Sequence, residues 1–168
     1  MNFKFQKGFT LIETIVVFAV ISILSTVAIA SFVDYNRNQN TQTAYSELSA
    51  TLALARSRAS SQVKPQQCAS PLILNGYDVI LSISDNTYKL RAICSGTPYD
   101  IKSASLPKNV VFDGDLTKTT STLFYFSVIT NGVTFTSPNA ASASISIYLI
   151  GNENNPRTIT VDKNGTIR

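Results

Sequence analysis

At 168 residues the chain holds one ordinary domain plus an appended segment, and two large soluble domains do not fit. A composition of 44% hydrophobic and 14% charged residues excludes a disordered or coiled-coil chain. The net charge of +4 becomes +2 once Lys4 and Lys7 are set aside, so bulk charge makes no case for nucleic acid. Histidine and tryptophan are both absent, which excludes a histidine-based triad and leaves zinc without its usual ligands.

The first element is an apolar run. Residues 9–33 contain no Gly, no Pro and one charge, Glu13. Spanning a bilayer takes about 20 apolar residues, which this run supplies. Lys4 and Lys7 precede it, whereas Asp34, Arg37 and Glu47 follow. Positive-inside asymmetry therefore keeps the N-terminus in the cytoplasm and exports the bulk of the chain. An ordinary secretory signal has a shorter apolar region, about 7–15 residues, before a small-residue cleavage site. Ala28-Ile29-Ala30 mimics such a site, so signal cleavage before Ser31 stands as an alternative. A carboxylate inside an apolar span costs about 2.5–3.5 kcal/mol near the centre and less toward an edge. Glu13 therefore calls for a compensating charge.

No Gly or Pro interrupts the chain from Phe9 to Lys64, and Pro65 is the first strong terminator. One helix reaching about Val63 would be roughly 80 Å long at 1.5 Å per residue. In its second half, residues 34–64, Ala44, Leu48, Leu52, Ala55 and Ala59 recur at steps of three or four with Tyr45 beside them. That narrow stripe predicts packing on a globular head. Arg37, Arg56 and Arg58 lie off it or beside it, as solvated charges do.

After Pro65, β-branched and aromatic runs alternate with Asn, Asp, Gly, Ser and Pro, the pattern of short strands. Tyr77–Ile83 and Thr87–Ile93 read as a hairpin over Ser84-Asp85-Asn86, followed by Val110–Phe112. Leu123–Ile129 and Val133–Thr136 are joined across Thr130-Asn131-Gly132, where Asn-Gly favours a tight primed turn. Ser144–Ile150 alternates as a half-buried strand does, and Arg157–Val161 with Thr166–Arg168 closes a hairpin over residues 162–165. The expected fold class is α+β: a long N-terminal helix, transmembrane in one half and amphipathic in the other, packed on an antiparallel β head of about seven short strands over residues 65–168. Leu116–Thr122 and Ser137–Ala143 read as mobile loops.

Cys68 and Cys94 lie on the exported side of the apolar run, where thiols oxidise, and one disulfide is the expected state. In the chain-entropy picture it contributes roughly 3–4 kcal/mol. The alternative is two unpaired buried thiols. Asp113-Gly114-Asp115 offers two carboxylates, whereas calcium needs about six to eight oxygens, so the segment reads as a polar turn. Phosphate loops, nucleophile elbows and Cys-x-x-Cys pairs are missing. No catalytic residue, metal or cofactor is expected.

Lys7-Gly8-Phe9-Thr10-Leu11-Ile12-Glu13 resembles the prepilin-peptidase motif of type IV pilins and type II secretion pseudopilins. The resemblance implies that residues 1–8 are a leader, cut between Gly8 and Phe9, and that Phe9 becomes the N-methylated first residue. Glu13 then pairs with the Phe9 ammonium of a neighbouring subunit and sets the axial register. An α-amine, with a reference pKa of about 7.7–8.0, is largely cationic at neutral pH, and burying two charges unpaired is worse than burying them paired. The implied partners are other pilin or pseudopilin subunits through the N-terminal helix, the prepilin peptidase and the inner-membrane assembly platform. The implied location is a single pass in the cytoplasmic membrane with the head outside, then a pilus or pseudopilus.

Leu54-Ala55-Arg56-Ser57-Arg58-Ala59 resembles the helix end of the GspH/FimT branch. Many major pilins carry a proline inside the apolar helix; its absence here suits a pseudopilin or minor pilin. DNA-binding FimT-like members have a Gly-Arg-x-Arg tail, and this chain ends Gly165-Thr166-Ile167-Arg168. The DNA alternative therefore rests on Arg168 and is not favoured. An ordinary membrane-anchored domain or enzyme is the remaining alternative.

Overall fold

A computed structural model describes residues 10–113, 121–130, 132–135 and 141–168. The chain divides into two compact units between Asn38 and Gln39. Helix α1, Leu11–Ser60, belongs to both.

In the second unit the helix buries the stripe expected from its spacing. Ala44, Leu48, Leu52, Ala55 and Ala59 are all at most 2% exposed, and three of the five are alanines, which let the helix backbone lie close to the strands. Complete burial of a leucine such as Leu48 or Leu52 contributes roughly 1.5–3 kcal/mol. The helix ends three residues before the expected Val63, and Pro65 is not the cause. Val63 N–H donates to Arg58 O at 3.0 Å and Gln62 N–H to Ala59 O at 3.1 Å, with Gln62 in the left-handed region at φ 51°. These two bonds are a Schellman turn, which satisfies the last carbonyls and turns the chain away. Tyr77 then donates its hydroxyl to Val63 O at 2.5 Å.

Among the described residues eight strands follow. Strands β1 (Leu74–Ser82), β2 (Thr87–Cys94), β3 (Thr97–Ser105), β5 (Ser121–Ser127) and β6 (Val133–Phe135) form an antiparallel sheet in the order β3-β2-β1-β5-β6. A three-stranded sheet holds β4 (Val110–Phe112), β7 (Ser142–Leu149) and β8 (Asn152–Asp162) in the order β4-β7-β8. One core collects the helix stripe, Tyr77, Val79, Leu81, Leu90, Phe124 and Phe126 from the larger sheet, and Ile145, Ile147, Ile159 and Val161 from the smaller. Strands β2, β7 and β8 bury alternate residues, as a pleated strand with one buried face must, whereas β1 buries four in succession, Gly76 to Val79.

The strand missing from the sequence reading is β3. It is an edge strand with six of its nine residues exposed and Pro98 near its start, and only Tyr99, Ile101 and Ala104 pack, half-buried, against the core, too sparse a pattern to mark a strand by its sequence. The β5–β6 connection is also longer than the tight Asn-Gly turn expected. Its last register pair is Phe126 with Val133, and Ser127 Oγ accepts the amides of Ile129 and Thr130 at 3.2 and 3.4 Å. The serine hydroxyl thus closes the bend that Asn-Gly was expected to make; Asn131 lies outside the described residues.

Thr166–Arg168 return along β8, with Val161 opposite Ile167. Gly165 makes that turn possible at φ 75°, and a Cβ there would meet Arg56 Nε at 3.0 Å. Cys68, in a 3₁₀ turn at Gln66–Cys68, is bonded to Cys94 at the end of β2, with Cα atoms 5.6 Å apart. Both are buried, so the bond ties the segment after α1 to the end of β2 in the larger sheet. Of the expected mobile loops, residues 116–120 and 137–140 lie outside the described residues, while Thr122 and Ala143 belong to β5 and β7. Gly114 and Asp115 are likewise outside them.

Candidate functional site

Thr10 opens α1. Its carbonyl accepts the amide of Thr14 at 3.2 Å, and its Oγ1 accepts the amide of Glu13 at 3.3 Å. An isolated helix start leaves its first amides without partners, and a hydroxyl at the preceding position supplies one. Thr10 and Glu13 stand at the spacing of a capping box, in which the acid reaches back to the cap's own amide. Here only half of the box is made: among the described residues the Glu13 carboxylate has no hydrogen bond and no ion pair.

From Leu11 to Ser25, Glu13 apart, the helix presents exposed apolar side chains on all sides. Leu11, Ile12, Phe18 and Ile23 are 68–76% exposed, and Ile15, Val16, Val17 and Val20 are also exposed. Four consecutive residues, Ile15 to Phe18, already sweep most of the circumference at about 100° per residue. The hydroxyls in this stretch are turned inward. Thr14 donates to Leu11 O, Ser22 to Phe18 O and Ser25 to Ile21 O, all at 2.7–2.8 Å. Each thereby satisfies itself on its own helix and presents no polar hydrogen outward. Among the described residues no helix is long and apolar enough to cross a membrane; the side chains at 26–28, 30, 31 and 34 lie outside them. Gly8 and Phe9, the expected processing residues, are outside them as well.

The second unit assembles no catalytic constellation among the described residues, and no cluster of three metal-ligating groups occurs among them. Its most constrained charges went unremarked in the sequence. Asp78, 2% exposed on β1, receives two bonds from Arg91 on β2, Nε to Oδ1 at 2.8 Å and Nη2 to Oδ2 at 2.6 Å. The two residues are register partners. Hydrogen bonding by Asp78 holds Arg91 above its ordinary range, and burial, aided by the Asp78 charge, pushes Tyr125 up. The available signal was an aspartate between Tyr77 and Val79 in an otherwise apolar strand. On the same face Lys89 pairs with Asp100 at 2.8 Å, so the cations of a shallow cavity lined by Ile80, Ser82, Asp85, Thr87, Lys89, Arg91 and Asp100 are each matched by a carboxylate. Arg168 is exposed and faces Asp162 at 3.9 Å, while Arg56 is turned to Asn164 O at 3.3 Å.

Comparison with known proteins bears on both units. Residues 3–29 match the prokaryotic N-terminal methylation motif. Two curated proteins from Pseudomonas aeruginosa, each named fimbrial protein, are 46% identical over 54 residues, which is 32% of this chain and 35% of theirs. The chain thus matches about a third of the length of these relatives. Two crystal structures of the type IV minor pilin FimU of Pseudomonas aeruginosa share the fold. One has a TM-score of 0.53 at 18% identity, covering 80% of this chain and 90% of that one. The other has a TM-score of 0.50 at 19% identity, covering 76% and 90%.

Proposed function

We propose that this chain, type IV pilin-like in its N-terminal motif and its fold, is a minor pilin or pseudopilin subunit that enters a filament through its first helix. Residues 1–8 are the leader, 9–33 the transmembrane and assembly helix, 34–64 the amphipathic helix and 65–168 the head. Prepilin peptidase cleaves between Gly8 and Phe9, and Phe9 is N-methylated. The subunit then leaves the cytoplasmic membrane for a type IV pilus or type II secretion pseudopilus, drawn by the assembly platform. The role is structural and requires no cofactor.

One observation carries this reading: an α-helix whose stretch from Leu11 to Ser25 is apolar on every side, with one carboxylate on its first turn that has no partner among the described residues. Such a surface needs lipid or other helices around it. A carboxylate in that setting needs a cation, and the new Phe9 ammonium of a neighbouring subunit is a cation in the same setting. Pairing them offsets two burial costs together. The Cys68–Cys94 bond supports an extracytoplasmic head, because structural disulfides persist in oxidising compartments. The fold shared with a minor pilin favours a pilus over a secretion pseudopilus.

Sequencing the N-terminus of the protein purified from membranes tests the proposal. A chain beginning at N-methylated Phe9 supports it; one beginning at Ser31 marks ordinary signal cleavage and sinks it. The DNA alternative has little support, since Arg168 is opposed by Asp162 and Arg56 is bonded to a backbone carbonyl. A steeply salt-dependent shift of duplex DNA by the purified protein would revive it.

A further inference from the structure

We infer that Asn164 is the acceptor for an N-linked oligosaccharide, added at the turn that follows β8. The inference rests on the proposed export of the head.

Asn164-Gly165-Thr166 is an Asn-x-Ser/Thr triplet without proline, the acceptor pattern for N-glycosylation. No other asparagine of the chain has Ser or Thr two places on. Asn-Gly is also ordinary turn chemistry, but this turn is built without the Asn164 side chain. Gly165 N–H donates to Asp162 O at 2.7 Å and Asp162 N–H to Thr166 O at 3.0 Å, with Gly165 supplying the left-handed φ of 75°. Asn164 gives the fold only its carbonyl, which accepts from Arg56 at 3.3 Å. Its side-chain amide is exposed and makes no hydrogen bond among the described residues, whereas an asparagine that shapes its own turn binds the backbone two residues on. The Thr166 hydroxyl, on a half-buried residue, is likewise without a partner among the described residues, and so is open to a transferase that grips the acceptor there. Two residues ahead the Asp162 side chain is 35% exposed, an anionic handle for a basic group on the same enzyme. The co-substrate is an oligosaccharide carried on a polyprenyl diphosphate at the exported side of the membrane. Asn164 Nδ2 bonds to the anomeric carbon as the bond from that carbon to the diphosphate oxygen breaks. The diphosphate leaves with the electron pair, and the amide gives one proton to a base of the transferase. A sugar placed here screens Arg56 and Arg168, the two arginines bonded or facing to this turn, from polyanions.

The test is mass spectrometry of the full chain purified from membranes of the cells that make it. The intact mass should exceed that of the polypeptide by one oligosaccharide, and fragmentation should place the sugar on the tryptic peptide that contains Asn164. Asn164→Gln and Thr166→Val should each lose the added mass entirely, while Thr166→Ser, which keeps the hydroxyl, should retain it. All three variants should unfold at the wild-type temperature, because the turn's backbone bonds are untouched. An unmodified Asn164 in the wild-type chain overturns the inference, as does a sugar that persists in Thr166→Val. Failure of the underlying reading looks different: protease added to spheroplasts would leave the head intact, marking it as never exported. An unmodified Asn164 in a head that the protease does reach sinks the glycan alone.

Discussion

Two stretches of one helix, Leu11–Ser25 and Ala44–Ala59, are built from similar aliphatic residues and end in different environments. In the second, every third or fourth residue is apolar and buried, with mostly polar or small residues between. In the first, apolar residues follow one another without a polar face, and Leu11 remains 76% exposed. Helix propensity favours the second, rich in Ala and Leu where the first is rich in β-branched Ile and Val, yet both are helical; the period of the pattern is what separates their surroundings. A stripe can be covered by strands of its own chain, whereas a surface apolar all round needs lipid or other chains. The acids show the same division. Glu47 accepts the Tyr88 hydroxyl at 3.5 Å inside the head, while Glu13 has no partner among the described residues.

If the first stretch is built for other chains and the second for its own, substitutions should separate assembly from stability. The largest effect is expected from Glu13→Gln, which should abolish incorporation into filaments and leave the head's thermal unfolding unchanged. A fall in the head's Tm would break the division. Asp78→Ala should do the converse. It strands Arg91 beside an empty site and should cost about 3 kcal/mol in denaturant unfolding. Leu52→Ala opens a cavity under the helix and should cost about 2–4 kcal/mol, whereas Ile15→Ala should leave head unfolding within error.

Alkali should reach the head in a definite window. Burial pushes the Tyr77, Tyr88 and Tyr125 hydroxyls up, so in the folded state they keep their protons at a pH where the unfolded chain has released them. Their contribution is complete below about pH 10 and is lost as pH rises beyond it. Stability measured from pH 8 to 11 should therefore fall only at the upper end, and Tyr77→Phe should flatten part of that fall. The smallest effect is expected at the end of the helix. Gln62→Gly relieves a left-handed backbone at some cost in unfolded-chain entropy, and should stabilise by about 0.5 kcal/mol in the same denaturant assay.

The helix, its buried stripe and most strands were legible in the sequence because each depends on local periodicity. Ala44 through Ala59 keep the helical step, and Ser144 through Leu149 keep the alternation of a strand. The match to the N-terminal methylation motif was legible because a lone charge, Glu13, in an apolar run is conspicuous. Features that join distant residues were not. Edge strand β3 turns only Tyr99, Ile101 and Ala104 to the core, too few to announce it, and it exists because β2 offers a row of backbone partners. Gln62 ends the helix through bonds that no residue type advertises.

By itself the sequence determined that the chain has an apolar helix bearing one carboxylate, followed by a strand-rich region, since spacing along the chain is enough to establish both. Tertiary structure decided that Asp78 meets Arg91 across two strands, that Arg56 packs against the turn at Gly165, and that three alanines of α1 lie against the sheets. Those contacts depend on register and on close approach between segments far apart in the chain, and side-chain spacing along a single segment carries no information about either.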